Sequence, residues 1–294
     1  MTNRSSMIPV FYINLDARID RRAHMERQFE QLGIAAERIS AVTVAEVPAA
    51  LVARVQRPGH FYRVGTGDLA CGLSHQRLWQ TLVDRQLDEA LVLEDDAILS
   101  PEVMPFLAPG LLARVGADLI RLETRRQAVR LGRPRFAVDG VQLRELLSTH
   151  RGTAGYLLSR AAAEAALASP VVNDMAVDRF DMAVDRFLFG RFGPNLWRTT
   201  VLQADPSPIV QLDKADPAST GKAVPVNGPA HSDNAGTRLS RPRRQRRVVD
   251  ILAFGAADIV PWCAQALRNR QAAFARKRPV AFSGDIRGEA GRSI

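Results

Sequence analysis

Three consecutive carboxylates, Glu94, Asp95 and Asp96, directly follow the aliphatic residues 91–93. An apolar run between turn signals predicts a buried strand of a parallel sheet, and ligands of open α/β sheets bind at the carboxyl ends of such strands. Side chains alternate along an extended backbone, so Glu94 and Asp96 should face one way and Asp95 the other. The acids therefore stand where binding or catalysis is expected.

Adjacent negative charges repel one another, and partial burial strengthens this repulsion, so a divalent cation would stabilise the three acids. Oxygen ligands suit Mg²⁺ or Mn²⁺, which typically bind a few carboxylates together with substrate phosphates. We therefore expect Glu94 and Asp96 to bind Mn²⁺ or Mg²⁺. The alternative is a polar turn that leads into a helix starting at residues 100–102.

A second group of candidate binding residues, three arginines, follows the first predicted strand at residues 10–15. Arg18, Arg21 and Arg22 should lie at the carboxyl end of this strand, and guanidinium groups bind phosphate oxygens in bidentate fashion. We expect these arginines to bind a diphosphate. Ordinary surface arginines at a solvated helix start are the alternative.

The elements that must position these residues alternate between strands and helices. A helix is expected from Asp20, which can cap its start, to Gly33, which can close its end. Further strands are predicted at residues 39–44, 118–123 and 155–159, and further helices at residues 66–86 and 160–168. The order predicts an α/β fold with a mostly parallel sheet.

The start of the second helix also mimics a dinucleotide-binding fingerprint, with Gly65, Gly67 and Ala70 at the required spacing. The preceding residues 60–64 are too polar for a central parallel strand, and a dinucleotide site needs one acid where this chain has three. A nicotinamide-dependent enzyme therefore remains only an alternative. His75, on the same helix, is either a catalytic residue or a hydrogen-bonded residue of the core.

The net charge of +9 is concentrated in the last quarter of the chain. Residues 1–220 contain 26 basic and 26 acidic residues, whereas residues 221–294 contain 14 and 5. A nucleic-acid enzyme would carry basic residues near its active site, so we expect no nucleic-acid partner. The two cysteines favour a reducing compartment, and the apolar residues 8–15 are too short for a signal peptide, so a cytoplasmic location is predicted.

Composition divides the chain into a catalytic domain at residues 1–212, a Pro/Gly/Arg-rich linker at 213–247 and a basic amphipathic helical tail at 248–294. Such a tail can bind an anionic membrane surface, which would place the protein peripherally on the inner face of the inner membrane. Docking of the tail on the catalytic domain is the alternative.

Residues 174–180 and 181–187 are identical seven-residue copies. Repeat architectures use units of about 20 residues or more, so this pair indicates a short tandem duplication. Only one copy can occupy the original site, and both Asp178 and Asp185 remain candidates for a functional carboxylate.

Together, these segments resemble glycosyltransferase family 25, which includes lipooligosaccharide galactosyltransferases and collagen-modifying relatives. The matching pieces span roughly residues 8–212 and comprise residues 11–16 with Arg21 and Arg22, residues 72–75 with Trp79, residues 91–97, residues 155–159 and the repeated Ala-Val-Asp-Arg-Phe. The chain departs from the family pattern at the duplication, where a single Pro-Val/Ile-Asp becomes two Ala-Val-Asp copies.

The resemblance implies a GT-A fold, a Rossmann-like sheet that binds a nucleotide-sugar with a divalent metal, and inverting transfer of a hexose from a UDP-sugar, galactose being the expected hexose. The acceptor implied is a hydroxyl of a glycan or glycolipid, such as a lipopolysaccharide core. The donor-binding residues implied are Asn14, Asp16, Arg18, Arg21, Arg22, Ser74, His75, Glu94, Asp95, Gly155 and Tyr156.

Inversion also needs a general base for the acceptor hydroxyl, and Asp185 and Asp178 are the catalytic candidates. A degenerate transferase that serves as a non-catalytic membrane adaptor is a further alternative.

Overall fold

The computed structural model describes residues 7–55, 64–168, 183–190, 199–215 and 275–285. Asp178, most of the predicted linker and the predicted amphipathic stripe of the tail lie outside these residues. In the part of the chain that is described, no helix has the length and apolar character needed to cross a membrane.

The amino-terminal part alternates strands and helices, as predicted. Its elements are β1 (Val10–Asn14), α1 (Ile19–Leu32), β2 (Ala36–Ser40), α2 (Ala49–Val55), α3 (Thr66–Asp84), β3 (Glu89–Glu94), β4 (Ala97–Leu99), α4 (Leu111–Val115), β5 (Leu119–Arg121) and β6 (Glu123–Thr124). Short 3₁₀ segments lie at Val44–Glu46 and Pro101–Leu107. The second strand therefore begins and ends earlier than the predicted residues 39–44.

The remaining elements complete the sheets. They are β7 (Ala128–Val138), β8 (Val141–Leu146), β9 (Gly155–Ser159), α5 (Arg160–Leu167), α6 (Val184–Phe189), β10 (Val201–Asp205), β11 (Ile209–Gln211), a 3₁₀ segment at Leu212–Lys214 and β12 (Lys277–Pro279). The predicted strand at 155–159 and the predicted helix after it are confirmed.

The main sheet has nine described strands in the order β12-β7-β8-β10-β5-β9-β3-β1-β2. Three of its neighbouring pairs are parallel, β1 with β2, β1 with β3 and β5 with β10, and the five other described pairs are antiparallel. The prediction of a mostly parallel sheet is therefore wrong, because β9 enters antiparallel between β3 and β5 and a hairpin, β7–β8, extends one side. A second sheet has the order β4-β11-β6.

The main sheet buries apolar side chains on both faces, and the strands next to the site contribute alternate residues to each face. On β3, Leu91 and Leu93 pack with Met25 of α1, whereas Val92 packs with Trp79 of α3. This alternation is the period-2 geometry of an extended strand. It determines which helix the acids after β3 will meet.

The first helix differs from its prediction at one end. Arg18 occupies the N-cap position without a side-chain cap, and Asp20 instead lies in the first turn, with its carboxylate 2.9 Å from Arg18 Nη2. A carboxylate in the first turn still interacts favourably with the helix dipole. The predicted C-cap at Gly33 is confirmed, since this residue has φ 67°.

Part of the predicted tail is built into the fold. Residues of β12 pair antiparallel with β7, so Lys277 to Pro279 form an edge strand and the helical tail is not confirmed. Val280 and Phe282 are buried, and Thr124 Oγ1 donates a hydrogen bond to the Val280 carbonyl, 2.6 Å away. The pairing of β12 with β7 attaches residues 275–285 to the main sheet, and the Thr124 hydrogen bond attaches them to the second sheet.

Candidate active site

The site lies at the carboxyl ends of three adjacent parallel strands. Asn14 at the end of β1 is paired in register with Ser40 of β2, and Ile13 is paired with Glu94 of β3. A cleft of about 140 Å³ opens at this edge, between the strand ends and α3. The predicted residues that line it are Arg21, Ser74, His75, Glu94, Asp95 and Asp96.

Glu94 faces α3, where it meets His75. The Nε2 atom of His75 lies 3.2 Å from Glu94 Oε1, and Thr153 Oγ1 donates a hydrogen bond to the same oxygen. Burial alone would raise the pKa of Glu94, but the hydrogen bond from His75, together with Thr153 and Arg125, holds it below its ordinary value. Glu94 is therefore the ionised member of the acid group.

A buried hydrogen-bond chain orients His75. The indole N–H of Trp79 donates to Tyr156 Oη at 2.9 Å, and this hydroxyl lies 2.8 Å from His75 Nδ1. Since the indole nitrogen can only donate, the Tyr156 proton is left for Nδ1, and the Nε2 proton of His75 points at Glu94. The order Trp79, Tyr156, His75, Glu94 thus fixes one imidazole tautomer at the cleft.

Asp95 faces the opposite side of the sheet, toward α1, as strand alternation predicts. Arg21 Nη1 lies 2.8 Å from Asp95 Oδ1, and Asn14 Nδ2 donates to Asp95 Oδ2 at 2.8 Å. Burial still raises the pKa of Asp95, and its partners only partly offset this effect. Arg21 therefore forms an ion pair with Asp95. Arg21 also lines the cleft, so Asp95 competes with a diphosphate for this guanidinium group.

Among the three acids, Asp96 has a carboxylate oxygen that lacks a hydrogen-bond partner in the described structure. Its Oδ1 atom is buried and has no hydrogen-bond partner within the described part of the chain. Burial, and next the charge of Glu94, raise the pKa of Asp96 well above its ordinary range. A buried carboxylate oxygen without a donor beside an ionised Glu94 fits a divalent cation, which would supply the missing positive charge.

The other predicted residues of this region, Asp16, Arg18 and Arg22, lie in the β1–α1 connection and the first turn of α1 and are not among the residues that line the cleft. Asp16 is exposed and accepts hydrogen bonds from Arg38 Nη1 at 2.6 Å and from Ser40 Oγ at 3.0 Å. Arg18 forms its ion pair with Asp20. Arg22 Nε lies 3.5 Å from Asn14 Oδ1. The loop thus carries these side chains near the ends of β1 and β2.

Three residues implied as donor contacts also have structural roles within the fold. Ser74 Oγ donates to the Ala70 carbonyl at 2.7 Å and accepts from the Val42 N–H at 2.8 Å. A Cβ atom at Gly155 would lie 2.4 Å from Ile209 Cδ1, so this glycine permits close packing of the two sheets. Tyr156 is fully buried and reaches the cleft only through His75.

Arg121 and Glu123 form a fully buried ion pair behind the cleft, with 2.9 Å between Arg121 Nη2 and Glu123 Oε2. The Ala154 N–H donates to the same oxygen at 2.9 Å, while Glu123 Oε1 has no partner among the described residues. Burial outweighs the charge of Arg121 and raises the pKa of Glu123 to about 7. Glu123 therefore ends up buried and is not among the residues that line the cleft.

Residues 183–187 of the second copy belong to the described part of the structure. Asp185 lies in the first turn of α6, where Oδ2 accepts the Gly152 N–H at 3.2 Å and Oδ1 is buried without a partner in the described structure. Phe187 stacks on Trp79 with ring centroids 5.9 Å apart. The counterpart in the first copy, Asp178, lies outside the described residues.

Thr153, next to Gly152, is the site residue that the sequence did not indicate. Its hydroxyl contacts Glu94 while the Gly152 N–H contacts Asp185, so this short segment joins the two carboxylates. No local spacing signals this contact, because it depends on the pairing of Leu93 with Gly155 across β3 and β9.

The alternative of a dinucleotide site meets an obstacle at α3. The Gly65 N–H donates to Asp68 Oδ2 at 3.0 Å, so a carboxylate of the chain occupies the helix N-terminus. A pyrophosphate would have to bind at this same position.

Comparison with known proteins gives a family match over most of the described site. Residues 7–181 match the family model described as glycosyltransferase family 25 (LPS biosynthesis protein). The chain is 35% identical over 107 residues to a glycosyltransferase 25 family member of Drosophila melanogaster, which covers 34% of this chain and 18% of that protein.

Two relatives have more specific names. Procollagen galactosyltransferase 1-B of Xenopus laevis is 30% identical over 191 residues, which covers 60% of this chain and 31% of that protein. Lacto-N-neotetraose biosynthesis glycosyltransferase LgtB of Neisseria meningitidis is 35% identical over 160 residues, which covers 51% of this chain and 57% of that protein. The chain thus spans less than two thirds of each of these proteins.

Proposed function

Since this chain belongs to glycosyltransferase family 25, we propose that it transfers a hexose from a UDP-sugar to a hydroxyl group of a surface glycan, with a divalent metal at the carboxyl end of β3. The observation that carries this proposal is the buried, unpartnered Oδ1 of Asp96 beside Glu94 at a cleft. The names of the procollagen and Neisseria relatives support a galactosyl donor and a glycan acceptor, respectively.

Glu94 and Asp96 would hold the metal, as the sequence predicts. Both side chains line the cleft. The pKa of Glu94 is lowered and that of Asp96 is raised, so Glu94 is the ionised carboxylate of the pair. A bound cation would favour ionisation of Asp96 as well. When bound, Mn²⁺ or Mg²⁺ supplies Lewis-acid stabilisation of the charge that develops on the diphosphate.

The side chains of this protein would do the remaining work. His75, fixed by Tyr156, keeps Glu94 ionised and oriented. Arg18 and Arg22 lie in the loop and first turn next to the cleft and would bind the diphosphate of the donor. Asp185 is the proposed base for the attacking hydroxyl, because Oδ2 is held by Gly152 and Oδ1 has no partner among the described residues. Oδ1 is buried and Asp185 does not line the cleft, so this role requires the acceptor to gain access to it.

Calorimetric titration with UDP, with and without Mn²⁺, tests the metal site in wild type and in Asp96→Asn. We expect Mn²⁺ to strengthen UDP binding to wild type and Asp96→Asn to lose at least about tenfold of that metal-dependent affinity, since even outer-shell substitutions cost about 10- to 100-fold. Asp88→Asn is the matched control, because the side chain of Asp88 is 90% exposed and lies away from the cleft lining. Metal-dependent binding that persists in Asp96→Asn would contradict the proposal.

A further inference from the structure

Three side chains of different ligand chemistry meet at the floor of the cleft. Cys71 and His75 lie one turn apart on α3, and Glu94 ends β3 opposite them. The sulfur of Cys71, a ring nitrogen of His75 and a carboxylate oxygen of Glu94 all lie within 4.8 Å of one another. This group shares only Glu94 with the Glu94–Asp96 pair.

The distances suit a small tetrahedral site. With zinc bonds of about 2.3 Å to sulfur and about 2.0 Å to nitrogen and oxygen, neighbouring ligand atoms lie roughly 3.3 to 3.6 Å apart. The Nε2 atom of His75 and Oε1 of Glu94 are already 3.2 Å apart. The sulfur of Cys71 lies no more than 4.8 Å from either of these atoms, so a side-chain adjustment at Cys71 would complete the tetrahedral geometry.

We propose that Cys71, His75 and Glu94 form a binding site for Zn²⁺ or another thiophilic divalent cation, with a fourth coordination position open to the cleft. A thiolate and an imidazole select such cations, whereas carboxylates alone suit Mg²⁺ and Mn²⁺. Three protein ligands with one open position are also the usual arrangement of an accessible zinc site.

The surroundings of the three ligands favour a cation. A cation at Nε2 would displace the proton that this nitrogen otherwise directs at Glu94, so Nδ1 would then carry the proton and donate it to Tyr156 Oη, 2.8 Å away, as the second ring nitrogen of a metal-bound histidine usually does. Burial first, and then the charge of Glu94, raise the pKa of the Cys71 thiol well above its ordinary value, so a cation would have to displace the thiol proton when it binds. The ionised Glu94 attracts a divalent cation to this position.

Occupation of this site would affect the proposed transfer reaction. A thiophilic cation held by Glu94 withdraws this carboxylate from its pair with Asp96, so zinc should inhibit a transferase that uses Mn²⁺ or Mg²⁺ there. This consequence rests on the proposed function, whereas binding of the cation does not.

Titration of the purified, reduced full chain with Co²⁺, which reports thiolate coordination by a charge-transfer absorption band, tests binding directly. We expect wild type to show the band, Zn²⁺ to displace it, and Cys71→Ser to lose it. Cys263→Ser is the matched control, because it removes the other cysteine of the chain. Absence of the band in wild type, or its loss in Cys263→Ser but not in Cys71→Ser, would overturn the assignment.

A transfer assay in Mn²⁺ with increasing Zn²⁺ tests inhibition, each variant being compared with its own zinc-free rate. We expect the zinc concentration that half-inhibits Cys71→Ser to be at least about tenfold higher than that for wild type or Cys263→Ser. Even substitutions outside the ligand set lower metal affinity by about 10- to 100-fold. Equal zinc sensitivity in all three would overturn the inhibitory role. If wild type does not bind UDP in a Mn²⁺-dependent manner, the proposed function is contradicted. The cobalt titration would still report on the Cys71 site, because it does not depend on that function.

Discussion

Glu123 should make the stability of this protein depend on pH. The side chain is fully buried, and its pKa rises from 4.5 to about 7 because burial outweighs the attraction of Arg121. Between pH values of about 4.5 and 7, the folded state binds more protons at Glu123 than the unfolded state does. The contribution of Glu123 to the free energy of unfolding is therefore fully present below about pH 4.5 and is lost as the pH rises through about 7. At 1.36 kcal/mol per pKa unit, the loss is about 3 kcal/mol.

Glu123→Gln keeps the shape of the protonated side chain and removes its titration. We expect urea unfolding, followed by circular dichroism, to show that the free energy of unfolding of wild type falls by about 3 kcal/mol more than that of the variant between about pH 4.5 and 7.5. Glu37→Gln is the control, since Glu37 is about half exposed in its pair with Arg85 and such pairs contribute little. Parallel pH profiles for wild type and Glu123→Gln would refute the reasoning.

Two further substitutions test the catalytic carboxylate and the packing of the sheets. Asp185→Asn should lower kcat of the transfer reaction by about 10²- to 10⁴-fold, the usual contribution of a general base, and by much more than Asp178→Asn does; the opposite ranking would assign the base to the first copy. Gly155→Ala should destabilise the fold by about 1–3 kcal/mol in urea unfolding, because its Cβ would overlap Ile209 Cδ1. Ile209→Val in the same chain should recover part of this loss, and a lack of recovery would contradict the proposed contact.

The site was predictable where local sequence pattern determines geometry. The apolar residues before Glu94 indicated β3, and period-2 alternation correctly separated Glu94, which meets His75, from Asp95, which meets Arg21. The composition also indicated that the acids would lie at strand ends. What the pattern could not provide was the partner of each acid, because Arg21 was equally suited to a phosphate or to a carboxylate.

The unpredicted features depend on pairings between distant segments. The Thr153 contact with Glu94 exists because β9 runs antiparallel between β3 and β5, and no residue of β9 encodes the direction of its neighbours. Strand β12 is only three residues long and includes a proline, Pro279, so it has no period-2 signal. The basic residues around it suggested a membrane-binding helical tail, whereas long-range pairing places Lys277 and Arg278 at the edge of the sheet.

The pairing of β12 with β7 has a consequence for the synthesis of this protein. Translation reaches β12 about 140 residues after the end of β7, which at about 5–20 residues per second leaves roughly 7 to 30 seconds before the partner strand exists. During this interval the outer edge of β7 is open to pairing with other nascent chains. Arg133, Pro134 and Arg135 interrupt this edge with charge and a missing N–H, and the register of β7 shifts on both sides of Pro134. We expect these residues to limit edge pairing of β7 beyond residue 131, whereas residues 128–130 are covered only once β12 has been made.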